Sequence, residues 1–472
     1  MSGTIDSDAN IIFVQIASYR DPQLLPTLLD LIYKASKPCR LRIVVSWQHA
    51  SDEPVEDFLA KGFSRTQVER FGNWIVQHLH LCSAKVELID IAHMRSQGTC
   101  WARNLLQQRY DGERYTLQLD SHHRFIKDWD VVLVDMLESL RSESPKPVLT
   151  SCCCNYEIDG DTALSGDPPC VGFGAFLPSG VVIFDNMTQP VEQFSKGHPV
   201  RARFYNASFA FADGHFATTV QHDPNYFFWG EEISISVRAF THGYDLYHPH
   251  RVIVWHAYSH RYRVMMTDDH SIAAKERGEI ELHWEERAQI SFQRNRELLG
   301  IDGTIPSHHD FGEYGLGRLR TLQDFETFAG LDFARRAVHE TLLNHGIVPP
   351  QPPGAPRPDQ TTWDLSLRHP NELRIHLRPE SLIGSATSQG SLGLFDSARS
   401  AVVTVRERNA PRAVLHRELF NASRLSQHYR DGQLDLFCKF GSPLGHLPGS
   451  YSVELLDADN RLLGGVERSI PA

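Results

Sequence analysis

At 472 residues the chain exceeds what one core usually organises, so a large domain plus at least one smaller one is expected. Its 41% hydrophobic and 22% charged residues are those of an ordinary soluble globular protein, and a net charge of −11 with acids and bases interspersed speaks against a nucleic-acid binder, which needs a basic patch for phosphate contacts. The opening "MSGTIDSDAN" has neither the basic start nor the apolar run of a signal peptide, and no stretch approaches the roughly 20 apolar residues of a membrane helix. A cytoplasmic protein with no membrane span is therefore expected.

In chain order, "NIIFVQIASYRD" is a β-branched run that stops at Ser18-Tyr19-Arg20-Asp21. Pro22 then opens "PQLLPTLLDLIYKAS", whose leucines recur at helical spacing, and "LRIVVSWQH" follows as a second strand. This β, α, β order predicts parallel strands joined by a crossover helix, with ligands beyond the carboxyl ends of the strands. A helix is expected near residues 65 to 80, a strand at "KVELIDI", a helix through "GTCWARNLLQQRY" and the strand "YTLQLD". Next come a helix near 128 to 143 and a strand "PVLTSCCC", whose adjacent thiols would point to opposite faces and so stay reduced and buried rather than share one ion. After the short apolar runs "SGVVIF" and "NASFAFADG", the stretch "FWGEEISISVRAFTHGYDLYHPHRVIVWH" reads as a helix from about Glu231, a turn at Gly243 and a strand ending at His256. The remainder to about residue 345 looks mainly helical.

The Pro-rich segment 346–362 then reads as a linker. It divides residues 1–345 from residues 363–472, where "ELRIHLRPESL", "AVVTVRERN", "LDLFCKF" and "SYSVELLDADNRLLGG" alternate with period two. That alternation predicts a small antiparallel β-domain of sandwich type.

The chemistry concentrates at strand ends. On an extended chain Asp120 and His122 face the same way while Ser121 faces back, and one carboxylate with one imidazole leaves positions of a divalent ion open for substrate phosphates. The same triplet also suits a polar turn where a strand leaves the core. His256, at the end of another expected strand, supplies a further imidazole, and His123 is an alternative ligand better suited to a structural role. Arg95 and Arg103 flank "MRSQGTCWARN", where Gly98 permits close backbone approach, and an arginine fork there suits a diphosphate or a nucleotide carbonyl as well as it suits a solvated helix face. Glu231 and Glu232 open a helix, where acids complement the dipole or hydrogen-bond sugar hydroxyls.

The order "IASYRD", "MRSQGTCWARN", "LQLDSHHRF", "FWGEE" with a glycine turn, and "VIVWH" resembles metal-dependent nucleotide-sugar glycosyltransferases of the A-type fold. The likeness covers about residues 10 to 260 and is greatest to the polypeptide hydroxyproline N-acetylglucosaminyltransferase family, which is related to the polypeptide N-acetylgalactosaminyltransferases with their Asp-x-His arrangement. It implies a Rossmann-like mixed α/β sheet flanked by helices. It also implies Asp120, His122 and His256 at a divalent metal, Mn²⁺ ahead of Mg²⁺, and Ser18, Tyr19, Arg20 and Arg95 around the uridine and diphosphate of a UDP-sugar. Glu231 or Glu232 would contact donor sugar or acceptor, although "WGEE" replaces the second glycine of the related Trp-Gly-Gly-Glu pattern. The implied reaction moves a sugar, N-acetylglucosamine first, from its UDP donor to a hydroxyl on a protein or glycan with retention of configuration. A carbohydrate-recognition protein without catalysis and a nucleotide-sugar hydrolase are the alternatives. Residues 259 to 271 are expected to form a lid over the diphosphate, and the β-domain offers surface for acceptor binding, dimer contacts or stability.

Overall fold

The computed structural model of the protein describes residues 10–159, 164–305, 310–344, 346, 349, 352–378, 381, 382, 394–430 and 433–471. Residues 347, 348, 350 and 351 of the Pro-rich segment lie outside the described residues, and its last residues begin the helix Gln360–Ser366, capped by the Asp359 carboxylate. The chain forms two units, Met1–Arg335 with His345–Pro356 and Arg336–Asn344 with Arg357–Ala472. No helix among the described residues is long and apolar enough to cross a membrane.

The first unit begins with β1 (Ile12–Tyr19), the helix Leu24–Lys34 and β2 (Leu41–His49), as the alternation of periods predicts. Leu24, Leu28, Leu31 and Ile32 form the buried stripe of that helix, the i, i+4, i+7, i+8 pattern of a helix lying on a sheet. The segment expected as a helix near 65 to 80 is instead the hairpin β3 (Ser64–Phe71) and β4 (Trp74–Leu81). Val76 and Leu79, three apart and both buried, imitate helical spacing, but Gly72-Asn73 turns the chain with Gly72 at φ 55°, a two-residue hairpin connection that a helix cannot contain. β5 (Ala84–Ala92), the helix Thr99–Gln107 and β6 (Tyr115–Asp120) follow as expected.

Beyond them lie β7 (His123–Phe125), the helix Trp129–Ser139, β8 (Pro147–Thr150), β9 (Cys154–Asn155) and the hairpin β10 (Pro169–Phe176) and β11 (Val182–Thr188). The cysteine run is therefore not one strand: β8 stops at Thr150, Cys152 and Cys153 are buried in the connection, and all three thiols are free. β12 (Val200–Arg201), β13 (Phe209–Asp213), the helix Glu231–Thr241, β14 (Asp245–His248) and β15 (Val254–His256) complete the framework of the site. Ten strands form one mixed sheet in the order β12-β14-β8-β13-β6-β1-β2-β5-β4-β3, with helices packed on it, so the expected Rossmann-like mixed α/β architecture is what the chain adopts. Its centre, β6-β1-β2-β5, is parallel, and β1 is buried on both faces, as a strand covered by helices on each side must be.

The second unit is the expected antiparallel β-domain. Strands Leu367–Leu377 and Gln433–Pro443 pair in one sheet, and Val414–Asn421, Ser400–Glu407, Pro448–Leu456 and Leu462–Ser469 form the other. Ile375, Leu436 and Cys438 of the first sheet share a core with Val403, Val405 and Leu455 of the second, which makes the pair a sandwich.

Gly98 performs the close approach that its type suggests. It precedes the helix Thr99–Gln107 at φ 124°, and a Cβ there would meet the carbonyl oxygen of Phe227 at 2.7 Å. Gly98→Ala therefore combines a left-handed backbone with a backbone clash and should destabilise the protein by about 1–3 kcal/mol, read from urea unfolding. An unchanged midpoint would show that the 98 and 227 segments are not held together.

Candidate functional site

Because β1, β2, β5 and β6 run parallel, their carboxyl ends reach the same edge of the sheet, with Ala17 opposite Asp120 and Trp47 opposite both Ser18 and Asp90. β6 ends at Asp120, Ser121 and His122 form a bend, and β7 resumes at His123. β15 pairs antiparallel with β7 so that His256 lies opposite His123. Two separate strand ends thus deliver one acid and three imidazoles to one place.

His256 is the meeting point. Its Nε2 lies 3.2 Å from Asp120 Oδ2 and 2.9 Å from His122 Nε2. His122 is oriented by Asp21, whose Oδ2 accepts from His122 Nδ1 at 2.6 Å and from Ser121 Oγ at 2.6 Å. With its proton on Nδ1, His122 presents the Nε2 lone pair to the cluster, the arrangement by which a carboxylate prepares an imidazole for a metal. Ser121 therefore does not face back from a continuous strand; the bend turns it toward the same Asp21. His123 also lies close enough to Asp120 and His256 for the three to hold an ion. Its nitrogens are engaged elsewhere, however: Nδ1 donates to the Trp255 carbonyl at 3.0 Å and Nε2 accepts the Asp120 N–H at 3.3 Å. By distance Asp120, His123 and His256 form the group able to hold an ion, and His122 joins it through His256 Nε2.

Charge favours that role. Burial alone would raise the Asp120 carboxyl, but the His256 hydrogen bond and the Arg103 guanidinium hold it well below the usual carboxylate range. Burial keeps His256 and His123 below the ordinary imidazole value, hence neutral and able to ligate or accept.

Arg103 is not an exposed helix charge. It is 3% exposed, donates Nη2 to Asp120 Oδ1 at 2.7 Å and to the Ala207 carbonyl at 3.0 Å, and pairs through Nη1 with Glu231. Those commitments replace the diphosphate fork that the sequence suggests for it. Arg95 is exposed and its guanidinium stacks over Trp74 at 5.2 Å, so the two arginines are not brought together as one fork. Glu231 is buried between Arg103 and His222 Nε2, 2.7 Å away, and these partners lower its carboxyl against the upward push of burial. Glu232 differs: among the described residues its carboxylate accepts the Ala207 N–H, at 3.0 Å, and desolvation, with the like charges of Glu231 and Asp120 adding, pushes it up to about 7. The two adjacent acids therefore sit in opposite protonation environments, as acids with different roles do.

Ser18 is buried, and its carbonyl accepts from Gln48 Nε2 at 3.0 Å. The Tyr19 hydroxyl donates to Asp269 Oδ2 at 2.8 Å, and Arg20, at φ 44°, pairs with the same carboxylate at 2.9 Å. The 259–271 segment thus lies across the end of β1. From it Arg263 also reaches His122 Nε2 at 2.7 Å, placing a cation against the ligand atom. Asp21, Arg263 and Asp269 were not singled out from the sequence. Asp21 carried a signal, as an acid closing the first strand before Pro22, whereas His222 carried none, being one of 25 histidines.

The family described as Glycosyltransferase (GlcNAc) matches residues 11–335. No curated protein matches the chain. Among solved structures the chain is similar to GalNAc-T7 with UDP, GalNAc and Mn²⁺, at 13% identity and a TM-score of 0.43 over 73% of this chain and 60% of that one. It is also similar to S. aureus TarS 1-349 in complex with UDP-GlcNAc, at 11% identity and a TM-score of 0.31 over 61% of this chain and 72% of that one. A third is the mannosyltransferase PcManGT from Pyrobaculum calidifontis in complex with GDP-Man and Mn²⁺, at 12% identity and a TM-score of 0.30 over 53% and 58%. The chain spans 60% of the length of the first of these proteins.

The raised Glu232 carboxyl has a thermodynamic signature. It titrates near 4.5 when exposed and near 7 in the fold, so between these values the native state binds more protons than the unfolded state and stability falls as pH rises. Glu232→Gln removes that slope. Relative to the parent chain the variant should gain on the order of 2 kcal/mol between pH 5 and pH 8 in urea unfolding. A stability difference flat across this range would mean that Glu232 is solvated like any surface acid.

Proposed function

Since the chain belongs to the Glycosyltransferase (GlcNAc) family, we propose that it is a retaining, metal-dependent enzyme that moves N-acetylglucosamine from UDP-N-acetylglucosamine to a hydroxyl on a protein, as polypeptide hydroxyproline N-acetylglucosaminyltransferases do. The observation that carries this reading is the convergence of Asp120, His122 and His256, two strand ends joined at Nε2 to Nε2 by 2.9 Å, with Asp21 setting the tautomer. An oxygen and two imidazole nitrogens fit a divalent ion of the Mn²⁺ or Mg²⁺ class that must also hold phosphate oxygens. Such an ion, when bound, stabilises the charge that develops on a diphosphate leaving group.

The chain's own groups do the remaining work. Arg103 keeps Asp120 and Glu231 ionised and fixed, so the ligand oxygen is preorganised. Ser18, Tyr19, Arg20 and Arg95 lie at or near the strand ends where a uridine diphosphate would rest. Glu231 is locked by its partners, which leaves Glu232 as the acid able to exchange a proton near neutrality and to contact donor sugar or acceptor. Retention needs no enzymic nucleophile here: the acceptor oxygen forms its bond to the anomeric carbon on the side from which the diphosphate oxygen departs, and the acceptor proton passes to that oxygen. Residues 1–345 would be the catalytic domain and 363–472 an accessory domain. Eight unpaired cysteines support a reducing, cytoplasmic setting.

Purified protein assayed with a panel of UDP-sugars and Mn²⁺ should release UDP from UDP-N-acetylglucosamine fastest. Asp120→Asn and His256→Ala should each reduce that rate on the order of 100-fold or more, and chelation should abolish it. UDP release indifferent to both substitutions would dispose of the proposal; equal release with and without any acceptor would indicate a hydrolase.

We also assign the 259–271 segment as the lid. Asp269 holds Tyr19 and Arg20, and Arg263 holds His122, so a bound metal and diphosphate compete with groups of the same charge for the same partners. Adding UDP with Mn²⁺ should change hydrogen exchange across 259–271 more than across β1, whereas identical exchange in both states would leave the segment an ordinary loop.

A further inference from the structure

A second constellation of ligand-type side chains lies in the β-sandwich. His416 and Glu418, two residues apart on the strand Val414–Asn421, share one face of that strand, and Cys438 comes from the strand Gln433–Pro443 of the facing sheet. The His416 ring lies flat on Phe440, with centroids 4.7 Å apart and planes within 9°, which fixes the imidazole over the facing strand. His416 Nε2 is 3.1 Å from Glu418 Oε2, and the other carboxylate oxygen is held by Arg424 at 2.7 Å. Cys438 is fully buried. One imidazole nitrogen, one carboxylate oxygen and the thiol sulfur all lie within 4.8 Å of one another.

We propose that His416, Glu418 and Cys438 bind a thiophilic divalent cation, Zn²⁺ in the first instance, between the two sheets of the sandwich. The proposal is independent of the glycosyl-transfer reading. In a tetrahedral site with Zn–N and Zn–O near 2.0–2.2 Å and Zn–S near 2.3 Å, neighbouring ligand atoms stand about 3.3–3.8 Å apart, and the three donors here lie within 4.8 Å of one another. The donor set is one that zinc takes and Mn²⁺ or Mg²⁺ does not favour. Binding would break the Cys438 S–H bond and form a zinc–sulfur bond, with the proton going to solvent. The thiolate and the Glu418 carboxylate would offset the two charges of the ion, with Arg424 remaining on the outer carboxylate oxygen. His416 and Glu418 keep side-chain exposures of 22% and 21%, which leaves a path for the ion and a fourth position for water.

Co²⁺, a spectroscopic substitute for Zn²⁺, separates this site from the Asp120 cluster because only a thiolate ligand gives the near-ultraviolet sulfur-to-cobalt charge-transfer band. Titrating metal-stripped full-length protein with Co²⁺ should raise that band to saturation, and Zn²⁺ should erase it. Cys438→Ser should remove the band, His416→Gln should weaken Co²⁺ binding about tenfold or more, and Asp120→Asn should leave the band unchanged. His416 is half-buried, so its variant decides the matter should the buried serine disturb folding. No band at stoichiometric Co²⁺, or a band of full strength and affinity in His416→Gln, overturns the proposal.

Discussion

The buried guanidinium of Arg103 is the interaction on which the candidate site depends. Two carboxylates, Asp120 and Glu231, come from the end of β6 and the start of the helix Glu231–Thr241, and the single cation between them comes from the helix that Gly98 begins. Without the cation, two acids would be buried in mutual repulsion, and each unpaired buried charge would cost several kcal/mol. With it, three segments distant in sequence are joined at one point. The cation also settles which oxygen does what: Asp120 Oδ1 is engaged by Arg103, which leaves Oδ2 on the side of His256.

The same economy of partners divides the labour of the two adjacent histidines. His123 bonds the backbone of β15 through Nδ1 and the backbone of Asp120 through Nε2, so its ring ties β6 to β15. His122 has a carboxylate at Nδ1 and another imidazole at Nε2. Two imidazoles facing each other through Nε2 can hold one proton between them or turn two lone pairs toward a cation. The Arg263 guanidinium beside His122 Nε2 supplies positive charge where an ion would otherwise do so. Proximity groups His123 with Asp120 and His256, although both His123 nitrogens carry hydrogen bonds.

Much of this was legible in the sequence because the informative residues lie at strand ends, where hydrophobic runs stop. β1, β2, β5, β6 and β15 announce themselves by β-branched runs, and the acids and histidines that follow them are few enough to single out. The hairpin at 64–81 resembles a helix in sequence because Val76 and Leu79 fall at helical spacing, and the Gly72-Asn73 turn is the better guide. The partners were less legible than the ligands. Whether Arg103 meets solvent, a phosphate or two carboxylates depends on where residue 231 folds back, a contact 128 residues away in the chain. Likewise the difference between Glu231 and Glu232 is invisible in "WGEE" and arises from which neighbour each finds. Arg103 and His222 lie against the first acid, while a lone backbone N–H meets the second.

The two cation-type clusters among the described residues differ in donor chemistry. The Asp120 cluster offers oxygen and nitrogen, and on the proposed reading its open positions suit an ion that exchanges and holds phosphate. His416, Glu418 and Cys438 add a sulfur that must lose its proton before it can bind. Thiolate raises affinity for zinc far more than for manganese, so a chain that meets both ions would load them by ligand softness rather than by overall affinity. Zinc, the stronger binder at nearly any nitrogen and oxygen set, would otherwise compete at the Asp120 cluster as well. A tetrahedral zinc ion gains little from positions left open for phosphate oxygens, so on the proposed reading those positions favour an ion of higher coordination number.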